Sequence, residues 1–335
     1  MHRDERSHRR ITFHFFSPIL LLTFFVFSLS SAQYSLNVEQ RGGAKHAGEN
    51  NLFRVQLVKS GTIIGTIERS IPFDVPFPTT YVHHTTGIVV LSYVVDGFVE
   101  VYNSEGKKVW EQNFFKEMGP NYERTITVAL GQSSIVFLTS DVTQPKAIVR
   151  KYSVDGAKQW ETTLPFAMGY EVVMSEDEQT IAAGSYIFQD GLVYQSASII
   201  SNNGTLTGDV NILFRKAAFT DDNKYIAFTS GKEIAIVSVE KSSEMYHAGK
   251  ITDGIITDLL WNGLHLIIQE SALVTTPEGM FVYRDPLFIE YTRDLHEVRR
   301  EAANNITFKT SSLRNTNFGI EFSAAGTTRK LFRDE

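Results

Sequence analysis

Three short stretches of the 335-residue chain hold side chains that could do chemistry. His83-His84, in YVHHTTG, is the one adjacent histidine pair. Two imidazoles can open a metal site, but a site needs further ligands, and none lies near this pair in sequence. A loop or strand-edge role is therefore expected. Glu176-Asp177-Glu178 and Asp221-Asp222-Asn223 are acidic enough to attract calcium, yet both sit where a hairpin should turn, so solvated turns are expected. His265 follows the Asn262-Gly263 turn, of type I′ by its residues, within an apolar strand and reads as a satisfied core residue. The chain has no cysteine, which excludes disulfides, thiolate metal sites, a cysteine nucleophile and lipid attachment through cysteine. No GxSxG, P-loop, HExxH or EF-hand pattern is present. No catalytic residue, metal ligand or cofactor is assigned, and any cofactor-binding residues are unknown.

The elements that must position these residues declare themselves by repetition. VYNSEGKKVWEQ, from Val101 to Gln112, returns as KYSVDGAKQWET, from Lys151 to Thr162. Each copy alternates apolar and polar residues, turns at a glycine and returns, which is a β-hairpin. Hairpin turns of this kind are read at Gly61, Gly106, Gly156, Gly204, Lys241, Gly279 and Gly326, about every 44 residues. A second register agrees: IVFLTS, TIAAGS and YIAFTS end at Ser140, Ser185 and Ser230, each 45 residues apart. Two hairpins per unit make four antiparallel strands, the size of a propeller blade.

The expected fold is all-β: a β-propeller of about seven four-stranded antiparallel blades. Complete blades are placed at about 83–292, with shorter stretches at 34–71 and 304–335; if those two interlock as one blade the count is six. Trp110 and Trp160 fall on outer strands and are expected to wedge between blades. This Gly-then-Trp hairpin resembles the repeat of pyrroloquinoline-quinone-like and WD40-like propellers. The resemblance implies an architecture and no particular reaction, since such repeats serve enzymes, assembly factors and adaptors alike.

One segment departs from the repeat. Tyr283 to Asn305 has Pro286, dense charge and a helix-compatible run over Asp294–Ala303, so an insertion with a short surface helix is expected. Arg284, Arg293, Arg299 and Arg300 would give it planar multi-donor contacts to an acidic partner.

At the N-terminus, Arg3, Arg6, Arg9 and Arg10 precede an apolar run from Ile11 to Leu29, followed by Ser30-Ser31-Ala32. That is the pattern of a cleavable export signal over 1–32, leaving one domain from Gln33 to Glu335. A retained anchor is the alternative, against which His14 and Pro18 argue. Cleavage would shift the net charge from −6 to −8 and leave no span; neither value suggests a nucleic-acid partner. The sequence thus reads as an exported monomer, periplasmic or extracellular and more in keeping with a bacterium. Its expected role is non-catalytic binding of a protein or envelope component. Two alternatives stay open: a quinone-dependent or sugar-acting enzyme of the same fold, and an outer-envelope assembly factor. The resemblance would give the first an acid cluster and vicinal cysteines, and the second a lipidated cysteine; none of these is visible.

Overall fold

The computed structural model describes residues 33–115, 121–141, 145–241, 243–248, 254–316 and 319–332. The expected signal, 1–32, lies outside these residues. The described residues hold no helix, and so none long and apolar enough to cross a membrane. They form antiparallel sheets in strict chain order, as hairpins joined by short turns must.

Sheet one contains β1 (Tyr34–Arg41), β2 (Asn50–Lys59) and β3 (Thr62–Pro72). Sheet two contains β4 (Thr79–Val82), β5 (Val89–Tyr93), β6 (Phe98–Tyr102) and β7 (Lys108–Asn113). Sheet three runs through β8 (Thr125–Leu130), β9 (Ser134–Ser140), β10 (Ile148–Ser153) and β11 (Lys158–Thr163). Sheet four holds β12 (Met168–Met174), β13 (Thr180–Gln189), β14 (Leu192–Ser201) and β15 (Leu206–Val210). In sheet five come β16 (Lys216–Phe219), β17 (Tyr225–Thr229), β18 (Ile234–Ser238) and β19 (Ser243–Ala248). Sheet six has β20 (Ile255–Asn262), β21 (His265–Thr275), β22 (Phe281–Tyr291) and β23 (Glu297–Ala302), with the short β24 (Thr307–Phe308) also on β22. Sheet seven ends the series with β25 (Ser311–Thr316), β26 (Gly319–Ala324) and β27 (Thr327–Lys330). The architecture is an all-β propeller, and these sheets fit a count of about seven.

Position within a sheet dictates composition. In sheets two to six the first strands neighbour one another around the axis, and the fourth strands lie outermost. Second strands, covered on both faces, are mostly apolar: β5 and β9 are buried along their whole length. Fourth strands such as β7 and β11 are largely exposed and therefore rich in charge. First strands all run the same way, which creates two faces. We call the face where they end the lower face; third-to-fourth turns also lie there. Second-to-third turns lie on the upper face.

Six apolar clusters hold the sheets together, each shared by two successive sheets. Phe137, fully buried between sheets two and three, contributes about 2–3 kcal/mol by burial alone.

The twice-spelled phrase has a mechanical explanation. Trp110 on β7 lies over the turn of the next sheet, donating from Nε1 to the Val154 carbonyl at 3.0 Å and stacking on Tyr152. Trp160 on β11 repeats the contact one sheet later, with the Asn202 carbonyl at 2.7 Å. The glycine under each ring is required twice over. Gly156 and Gly204 have positive φ, and a Cβ on either would sit 2.9 Å from the indole above it. The phrase encodes the joint between one outer strand and the neighbouring turn.

Two expected turns fall elsewhere. Gly279 and Gly326 lie between the second and third strands of their sheets, not the third and fourth. In sheet six the third-to-fourth turn is 292–296, with Leu295 in the left-handed region. At Asn262-Gly263 only Gly263 has positive φ, so the turn is not type I′.

Candidate functional site

The helix expected over Asp294–Ala303 is instead a turn followed by β23, paired to β22. Helix propensity loses to the ladder because β23 is an outermost strand, exposed on nearly every residue. The four arginines of this segment do not converge. Arg284 lies near the upper end of β22 beside Asp285 (3.1 Å), whereas Arg293 lies in the lower-face turn, over the Tyr225 ring at 4.5 Å. On β23, Arg299 is 2.5 Å from the buried Glu290 carboxylate and Arg300 is 2.5 Å from Glu297. Each positive charge already faces an acid or a ring. His265 differs too: its Nδ1 is 2.5 Å from Glu290, but the side chain is 41% exposed rather than core.

The lower face bears the axial opening, a cavity of about 700 Å³ lined by Tyr81, His83, His84, Glu176, Asp221 and Asn315 among others. His83 turns its Nδ1 to Thr86 Oγ1 at 2.8 Å. Burial, with the neighbouring His84, lowers its pKa, which favours a neutral ring. Among the described residues no three His, Asp or Glu side chains group around a metal position. The acidic turns serve the fold. Asp177 and Asp222 each cap their own turn. Glu178, at positive φ, reaches into sheet three, accepting from Ser133 N (2.7 Å), Ser133 Oγ (2.7 Å) and Ser134 Oγ (2.5 Å). Those bonds hold its strained backbone in place.

On the first strands, β12 is bulged between Gly169 and Val172 and β20 between Ile256 and Asp258, and Glu171 and Asp258 at these bulges lie within electrostatic reach of Lys216 on β16. Burial raises both carboxyls despite Lys216 and the backbone N–H groups that bond them. Tyr81 is pushed up to about 12 by burial and by Glu171. For Glu171 the sign follows directly. Its folded pKa exceeds the unfolded one, so the charged form costs stability at neutral pH, and stability is recovered as pH falls through the folded value. Glu171→Gln is therefore expected to raise the melting temperature at pH 7 and to lose that advantage near pH 4. An equal gain at both pH values would show that the charge is not the cause.

On the upper face the sequence reasoning missed the main feature. β13 and β14 are ten residues each, and β21 and β22 eleven, where the corresponding β5–β6 and β17–β18 strands have five. Five extra residues project about 16 Å beyond the sheet. The first prong turns at Asp190-Gly191, both at positive φ, and exposes Phe188 (69%), Leu192, Val193 and Tyr194. The second exposes Leu273, Met280 and Phe281 (70%). The short turn of sheet five, near Gly231, lies between them in the order of sheets, and a cavity of about 530 Å³ opens at the root of the second prong beside Lys232 and Leu273. A signal was available: Asp-Gly between the apolar stretches of IFQDGLVY is a two-residue hairpin turn.

No family model matches this chain, and no curated protein matches it. Solved structures do. A chain in a crystal structure of a mitotic checkpoint complex aligns over 97% of this chain and 98% of its own, with a TM-score of 0.56 at 11% identity. BamB from Moraxella catarrhalis aligns over 86% of this chain and 83% of its own, with a TM-score of 0.51 at 10% identity. At such identities the likeness is one of fold. What is shared is the β-propeller architecture.

Proposed function

We propose that the protein is a non-catalytic propeller, exported with removal of residues 1–32, that docks a partner protein on its upper face. The observation that carries this reading is the pair of prongs. Both end in large apolar side chains held out in water, which folding alone gives no reason to expose. Both lie on the same face, on rigid ladders that cost little entropy to present. Aromatic and aliphatic tips of this kind are the usual anchors of a docking interface. On the lower face Leu264 is as exposed (76%) but stands alone on a two-residue turn, without the clustered apolar neighbours that each prong carries. The arginines of 283–305 belong to the reading only as rim contacts beside the second prong, through Arg284.

Replacing Phe188 and Phe281 together with serine tests the reading. The variant should keep its melting temperature within about 1 °C, because neither side chain is packed, and should lose its partners in affinity capture from the native envelope. Full recovery of the same partners by a folded variant would remove the prongs from the interface.

A further inference from the structure

Among the described residues, sheet one has three strands where sheets two to five have four. Its β3 occupies the outermost place: a Cβ on Gly65 would meet the Glu105 backbone in the β6–β7 turn, the same joint that Trp110 and Trp160 make. Counting inward, β2 is the third strand and β1 the second, so the first strand, beside the axis, has no occupant among the described residues. Burial agrees. Second strands β5 and β9 are wholly buried, while β1 is buried nowhere, and Val38, on the core side opposite Val55, is 43% exposed. Nor does any of the six apolar clusters join sheet seven to sheet one. The tail after β27 turns back to its own neighbours, with Leu331 N–H on the Ile320 carbonyl and Phe332 N–H on Glu301.

We infer that the free edge of β1 accepts an extended segment of a partner protein as the missing first strand, a case of strand addition. The inference rests on removal of residues 1–32, after which Gln33 stands one residue from β1 and no upstream chain remains to fill the place. The phase of the edge is fixed. Tyr34 N–H bonds the His84 carbonyl on β1's free side at 2.7 Å, so by alternation Leu36, Val38 and Gln40 also point their N–H and C=O groups there. The side chains fix the chemistry of the guest. On the core side Leu36 and Val38 ask for apolar partners. On the other side Glu39, Arg41, Arg54 and Glu68 are already paired to one another at 2.5–3.1 Å, so uncharged polar residues suit it. The guest is a strand alternating Val/Ile with Thr/Ser.

Amide hydrogen exchange tests this with a defined probe, the peptide RTITVALG (the chain's own 124–131), against a scrambled control. In the processed chain alone, Leu36, Val38 and Gln40 should exchange at least about 100-fold faster than Asn37 and Glu39, which bond β2. The peptide should slow those three about tenfold or more. Val38→Pro should abolish that effect without lowering the melting temperature, since proline removes only a donor that β2 does not use. Three results would overturn the inference. The three amides could already be protected in the processed chain, from within or by a second copy that size-exclusion would reveal. They could be protected only when residues 1–32 are present, making those residues the first strand. Or RTITVALG could protect no better than its scramble. The prongs lie on other sheets, so the serine variants leave this measurement untouched and each reading can fail alone.

Discussion

Asp141→Ala is expected to lose about 3–5 kcal/mol of stability, the cost of leaving a buried charge without its partner. Asp141 and Arg124 are 1% and 3% exposed, with Nε to Oδ2 at 2.8 Å. Arg124 also donates to the Val95 carbonyl at 2.9 Å and packs over the Phe115 ring at 4.8 Å. The guanidinium thus ties sheet three to the β5–β6 turn of sheet two, and the carboxylate makes its burial tolerable. Asn121 Nδ2 donates to the same Asp141 oxygen at 3.3 Å, so the substitution strips one anchor from two donors. Urea unfolding should show a lower midpoint at unchanged slope. Replacing both partners with apolar residues of similar size should cost much less than the single change. A single-mutant loss under about 1 kcal/mol would mean that water already reaches the pair.

The second large effect is expected at the repeated joint. Trp110→Ala should cost about 3 kcal/mol, the low end for large aromatic truncation because the ring keeps some exposure. It removes the stack on Tyr152, the edge contact with Phe137 at 6.1 Å and the hydrogen bond to Val154. Gly156→Ala should cost about 2 kcal/mol, combining positive φ with a Cβ driven into the indole. The two should not add. Once the indole is gone the Gly156 Cβ has room, and only the backbone term remains, so the double variant should fall about 1 kcal/mol short of the sum. Strict additivity would deny that ring and glycine form one joint.

These two cases show what a sequence can carry. The Trp–Gly joint was legible because its halves recur at the repeat length, and the turn glycines announce a left-handed backbone. Arg124 and Asp141 were not: neither recurs, and nothing local marks a pair separated by the whole β8–β9 hairpin. The arginine segment misled for a different reason. An outermost strand such as β23 is wet on both faces, so it has no period-2 apolar signal, and its Glu and Arg residues then read as helix. The prongs were not legible because their exposed Phe188, Leu192, Val193 and Tyr194 are as apolar as the buried parts of β13 and β14, so composition does not mark where the sheet ends and the projection begins. The vacancy beside β1 is invisible in the sequence; only pairing and burial reveal a strand's absence.

The central claim is that the upper face meets the partner. A photo-crosslinking residue placed singly at Phe188, Phe281, His84 and Arg300, in the protein working in its own compartment, tests this most directly. These positions sample the two prongs, the lower-face opening and the arginine-bearing outer strand. The same partner band is expected from Phe188 and Phe281 and none from Arg300, while a band at His84 beside theirs would report the strand added at β1. Bands from His84 or Arg300 with silence at both prongs would contradict it and move the docking site to the lower face or the rim.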